Sequence, residues 1–217
     1  MNRKLTPEDL QNGCEFELLA EVSHQSLREF IVEQITKEKV IIRIYSVYQV
    51  SMMTLFAFLF TRGIVLFIKG NHDPLIQTGI GVLFSVTALI VIHELLHALA
   101  YLATGAWKIS FGVILNKFIF YAMADRQVIA PRAFHIVALT PFMVVKLACI
   151  IGAFWFARQP LIYFFLSIMC LHSLFCAGDI AMLAFYRLHR GKEIYNFDNK
   201  SEGKTYFYAR IKKDILL

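Results

Sequence analysis

Four long apolar runs constrain this chain more than any other feature. Residues 45–68, 76–104, 134–157 and 161–186 each exceed the about 20 residues a helix needs to cross a hydrocarbon core. The second run holds one ionised side chain, Glu94, and the fourth holds one, Asp179. Composition agrees: 58% of residues are hydrophobic, and 18% are charged where about 25% is usual for soluble domains. That excludes an ordinary soluble domain, and it excludes disorder, which needs low hydrophobicity. Four cysteines in 217 residues are too few for a disulfide scaffold. The expected fold class is an all-α multi-spanning membrane protein with four transmembrane helices.

Lys and Arg near the span ends set the expected orientation. Lys37, Lys39, Arg43, Lys108, Lys117, Arg126, Arg132, Arg187, Arg190, Lys192 and Lys200 fall on one side, against Lys69 and Arg158 on the other. The positive-inside rule then puts both termini and the 107–132 segment in the cytoplasm of a multi-pass protein. The net charge of +6 is largely this bias, so the expected partner is the lipid bilayer and not nucleic acid. The N-terminus has charges but no apolar stretch directly behind them, so the first run reads as a permanent anchor. The expected organisation is a cytoplasmic segment over 1–44, a four-helix membrane domain over 45–186 and a basic tail over 187–217. Thr6-Pro7-Glu8-Asp9 reads as a helix start. Thr205-Tyr206-Phe207-Tyr208 is a β-like patch in the tail.

The segment between the second and third runs is patterned. Ile109, Phe111, Val113 and Leu115 alternate along one side, Asn116-Lys117 suits a turn, and 118–128 continues as a second apolar stretch. This predicts a membrane-associated β-hairpin over 107–128. It either offers an edge strand to an extended peptide or fills space beside the helices.

Chemistry concentrates in His93-Glu94-Leu95-Leu96-His97. Helix positions four apart share a face, so two imidazoles there can hold one metal ion. Glu94 can then reach a water at that metal as general base, as in zinc hydrolases. The competing reading is a pair of packed core histidines with a buried acid. An ionisable group at mid-bilayer costs at least about 2.5–3.5 kcal/mol, and a metal would compensate three polar groups in one turn.

A catalytic zinc wants a third protein ligand. Asp179 is the leading candidate. Its distance in sequence from the cytoplasmic end of its run equals that of His97 from the end of its own, which puts both about 12 Å deep on straight helices. His172, two turns earlier, would lie about 10 Å nearer the outer side on a continuous helix. It is a competing ligand, a donor to an oxyanion or an ordinary packed histidine. Lys146 sits in the middle of the third run, facing the site or a water-filled cleft that Pro141 opens by kinking the helix.

The H-E-x-x-H segment in a span, the amphipathic β-like segment and Ala177-Gly178-Asp179 in a later span resemble the site-2 protease class of intramembrane zinc metalloproteases. Over roughly residues 79–190 the chain is most similar to a zincin peptidase family of short bacterial membrane proteins. The resemblance implies that His93, His97 and Asp179 bind Zn²⁺, that Glu94 is the catalytic base and that the location is a bacterial cell membrane. Site-2 proteases usually carry Leu-Asp-Gly at the third ligand with an Asn upstream. This chain has Gly178-Asp179-Ile180, with His172 near the place of the Asn. No PDZ-like segment is recognised in the sequence, so the class's mode of substrate selection does not carry over.

Two functions follow as expectations. One is an intramembrane zinc endopeptidase acting on membrane-embedded or membrane-adjacent peptides. The other is a non-enzymatic metal-binding membrane protein: a carrier, sensor or scaffold. His, His and Asp suit zinc, and Fe(II) is chemically compatible with the same set.

Overall fold

The computed structural model describes residues 4–114 and 119–211. In chain order the elements are α1 (Pro7–Gln11), β1 (Phe16–Ser23), α2 (Leu27–Lys37), α3 (Val40–Ile68), α4 (Asp73–Ser85) and α5 (Ala88–Ala103), then β2 (Ile109–Ile114), β3 (Ile119–Ala124), α6 (Pro131–Trp155), α7 (Ile162–Phe175), α8 (Ala177–Leu188), β4 (Ile194–Asn199) and β5 (Lys204–Arg210). The chain divides into two compact units. One comprises residues up to 38, 97–138 and from 181 onward, and the other comprises 39–96 and 139–180.

The expected all-α fold with four spans is overturned. The protein is about 63% helical and 17% strand, with two antiparallel sheets. Among the described residues, only α3 and α6 are single helices long and apolar enough to cross a membrane. The second apolar run is α4 and α5, bent by 48°, and the fourth is α7 and α8, bent by 44°. Apolarity measures transfer free energy and is blind to backbone direction, so a broken helix reads as one run. At the first break the Thr87 hydroxyl donates back to the Leu83 carbonyl at 2.6 Å, a bond associated with bent helices. At the second, a helix that ends leaves its last carbonyls without internal donors. The Ser173 carbonyl accepts from the Tyr45 hydroxyl of α3 instead.

The unit holding α3, α4 and α7 packs around Leu89, Val145, Cys149 and Ile168, with Phe84, Leu96 and Phe164 against them. Gly81 lets α4 approach α7 closely: a Cβ there would lie 3.0 Å from the Phe164 carbonyl oxygen. The hydroxyls of Thr78 and Ser85 donate to the carbonyls of Pro74 and Gly81 at 2.8 and 2.7 Å, so these polar groups are satisfied within their own helix.

The other unit is built on the sheet β1-β5-β4. β5 is its central strand, and Thr205 to Ala209 are all buried, which explains its unbroken aromatic and β-branched run. The β-like patch in the tail is therefore half of a long-range pairing with β1, in the register Phe16↔Arg210 to Ser23↔Lys204. The two chain ends are expected from the sequence as separate segments, because nothing local marks strands far apart in the chain as partners. Leu10, Phe16, Phe197, Tyr206 and Tyr208 form the core, and α1 starts with a capping box between Thr6 and Asp9.

β2 and β3 pair antiparallel within the segment where a hairpin is expected. The Asn116-Lys117 turn lies outside the described residues. Tyr121 lies across Gly112, where a Cβ would sit 2.3 Å from its ring. From there a polar chain runs inward: Tyr121 Oη to His24 Nδ1 at 3.1 Å, His24 Nε2 to Thr205 Oγ1 at 3.2 Å, and Thr205 Oγ1 to Asp198 Oδ1 at 2.6 Å. A neutral His24 protonated on Nε2 lets every member donate toward the carboxyl. Burial lowers the basicity of His24. Burial also raises Asp198 to about 6, helped by nearby Asp125 and opposed by the Thr205 hydrogen bond.

A carboxyl harder to ionise in the folded than in the unfolded state stabilises the fold at low pH. That contribution is lost as pH rises from about 4 through about 6, and two pKa units correspond to about 3 kcal/mol. Thermal melts followed by tyrosine near-UV signal should fall across this window in the wild type. The Asp198→Asn variant, which keeps an acceptor for Thr205, should show a flatter profile.

Candidate metal centre

α5 reverses the pattern of a soluble amphipathic helix. Val91, Leu95, Leu99 and Leu102 are exposed, whereas His93, His97 and Ala100 are buried. A helix that turns its apolar side outward and its imidazoles inward is one whose polar groups find partners inside the protein.

His93 has such a partner at each ring nitrogen. Nδ1 lies 3.0 Å from Nε2 of His172, and Nε2 lies 3.3 Å from Oδ2 of Asp179. Asp179 sits in the first turn of α8, just past the second helix break. His172 is in the last turn of α7, just before it, and is fully buried. The expectation that His172 lies two turns away from the site is therefore corrected. It assumed a continuous helix, and the bend at Cys176 brings His172 and Asp179 to opposite sides of one imidazole.

His97 is one turn further along α5, and its Nδ1 lies 3.0 Å from the Val137 carbonyl of α6. That bond fixes the proton on Nδ1 and leaves Nε2 as the nitrogen that could coordinate an ion, as in the usual outer support of a metal-ligating histidine. Glu94 follows His93 in the same helix and is partly buried. Lys146 is buried among other partners: its Nζ donates to the Met169 carbonyl and lies 5.3 Å from the Tyr48 ring and 5.7 Å from the Phe142 ring. None of those belongs to the H-E-x-x-H segment.

Two contributors escaped sequence reading. Tyr45 braces the α7 end through the Ser173 carbonyl, and only the packing of α3 reveals that. Cys176 lies 3.6 and 3.8 Å from the two ring nitrogens of His172. Its spacing of four from His172 was visible, but an apolar context made it one cysteine among several.

Helices long and apolar enough to cross a membrane are consistent with membrane association, and buried His93 and partly buried Asp179 belong to a group of side chains that could hold a metal ion. The family described as putative zincin peptidase matches residues 86–213, more than half of the chain, and the chain belongs to that family. No curated protein and no solved structure matches it. The family implies a zinc metallopeptidase, and the donor chemistry fits: imidazole nitrogens and a carboxylate, with the Val137 carbonyl fixing the tautomer of His97.

Asp179→Ala should remove most of the zinc measured by elemental analysis of purified protein. His172→Ala, which removes only a support of His93, should weaken zinc affinity by roughly 10–100-fold. Equal loss in the two variants would place His172 among the ligands.

Proposed function

We propose that this protein is an intramembrane zinc endopeptidase in which His93, His97 and Asp179 hold one zinc ion and Glu94 is the general base. The observation that carries this reading is the His93 Nε2 to Asp179 Oδ2 approach of 3.3 Å on the buried face of α5. Membership of the zincin peptidase family supports it.

Zinc bound there would supply a Lewis acid that polarises a peptide carbonyl and lowers the pKa of water to about 7. Glu94 accepts a proton from the attacking water and delivers it to the leaving amine. His172 holds the His93 ring in one orientation. The exposed, apolar outward side of α5 keeps bulk water from the reaction on the membrane side. A membrane peptide must unwind before cleavage, because a helix shields its scissile bonds. Among the described residues β2 pairs only with β3, and its other edge would receive an extended peptide by strand addition. On this reading both termini are cytoplasmic, and the substrates are membrane-embedded or membrane-adjacent peptides. Discontinuous helices at a site within the bilayer are a recurring solution in membrane proteins, because broken backbone is tolerated there where it is buried in protein.

In proteoliposomes with a transmembrane peptide substrate, Glu94→Gln should reduce hydrolysis by about 10²–10⁴-fold while zinc stays bound at one equivalent. Full turnover in that variant would remove Glu94 as the base. Topology has its own check. Cys14 is exposed. A membrane-impermeant maleimide should label it in inverted vesicles and leave it unlabelled in intact cells.

A further inference from the structure

The His93 ring has a second metal-competent side. His93, His172 and Cys176 are all buried, and each offers a ligand atom within 4.8 Å of the others. His172 Nε2 serves both contacts, 3.0 Å from His93 Nδ1 and 3.8 Å from Cys176 Sγ. Ligands about 2.0–2.3 Å from a common ion stand about 3.3–3.8 Å apart, so small shifts would complete the set. Two imidazoles and a thiol favour soft, thiophilic ions, and coordination deprotonates the thiol outright.

We propose that His93 Nδ1, His172 Nε2 and Cys176 Sγ form an inner site for a thiophilic metal ion, and that its occupancy excludes zinc from the outer ligand set. The exclusion follows from the imidazole itself and rests on the outer reading of His93. A neutral imidazole has one unprotonated nitrogen. With the outer set filled, Nε2 binds the ion and Nδ1–H donates to His172. With the inner set filled, Nδ1 binds the ion and Nε2–H points at Asp179, 3.3 Å away. The ring cannot serve both sides while neutral. The inner site therefore acts as a switch: a soft ion flips the His93 tautomer and withdraws one ligand from the hydrolytic centre.

Cd²⁺ is the probe. Titrated into metal-free full-length protein in detergent, it should give an ultraviolet thiolate-to-metal charge-transfer band, read as a difference spectrum below the aromatic absorption, that saturates at one equivalent. Cys176→Ser should lose the band. A variant with Cys14, Cys149 and Cys170 all replaced by Ser should keep it, which guards against a misfolded single variant. Asp179→Ala should also keep it while losing zinc, so failure of the inner site and failure of the outer reading are distinguishable. In zinc-loaded protein, Cd²⁺ should release zinc as the band grows. Absence of a band in the wild type, a band that survives Cys176→Ser, or simultaneous retention of one zinc and one cadmium would overturn the proposal.

Discussion

A buried imidazole with a partner at each nitrogen is the interaction on which the rest of the structure depends. His93 sits on a helix whose outward side is leucine and valine, where unsatisfied polar groups are costly. Its two contacts, to His172 and to Asp179, come from either side of one break in the chain. Neither α7 nor α8 alone could supply both, because residues 172 and 179 on a straight helix would stand about 10 Å apart along the axis. The bend that looks like an interruption of a membrane helix is what assembles the centre.

That bend has its own requirements. Ending α7 exposes carbonyls in an apolar setting, and Tyr45 of α3 supplies a donor to Ser173. α3 lies outside the stretch that matches the family, yet its tyrosine completes the end of the helix that carries His172. Lys146 does comparable work from α6 by donating to the Met169 carbonyl one turn earlier. The end of α7, which carries His172, is thus held by polar side chains from α3 and α6. In the other unit the same principle appears in the run from Tyr121 through His24 and Thr205 to Asp198, where one buried chain of hydrogen bonds ties β3 to the sheet formed by the two chain ends.

The geometry also changes what His172 means. As a lone histidine in an apolar run, it is a competing ligand, an oxyanion donor or, as the most ordinary reading, a packed core residue. At 3.0 Å from His93 and under 4 Å from Cys176, it stands between the proposed hydrolytic ligand set and the proposed thiol-containing one. The two sets share an imidazole, and the proton that imidazole carries can be on only one side at a time.

The sequence by itself determined that the chain is apolar in long runs, that His93, Glu94 and His97 share one helical turn, and that Asp179 is the one acid in the last run. Those are local facts of composition and period, and they sufficed to single out a candidate metal centre and the family resemblance. Only the tertiary structure decided that two of the four runs are broken, that the chain ends pair as one sheet, and that His172 and Cys176 stand beside His93. Hydropathy sums transfer free energies residue by residue and carries no information on direction. Strand pairing and the approach of two helix ends are set by contacts between residues far apart in the chain, and no window along the sequence contains both partners.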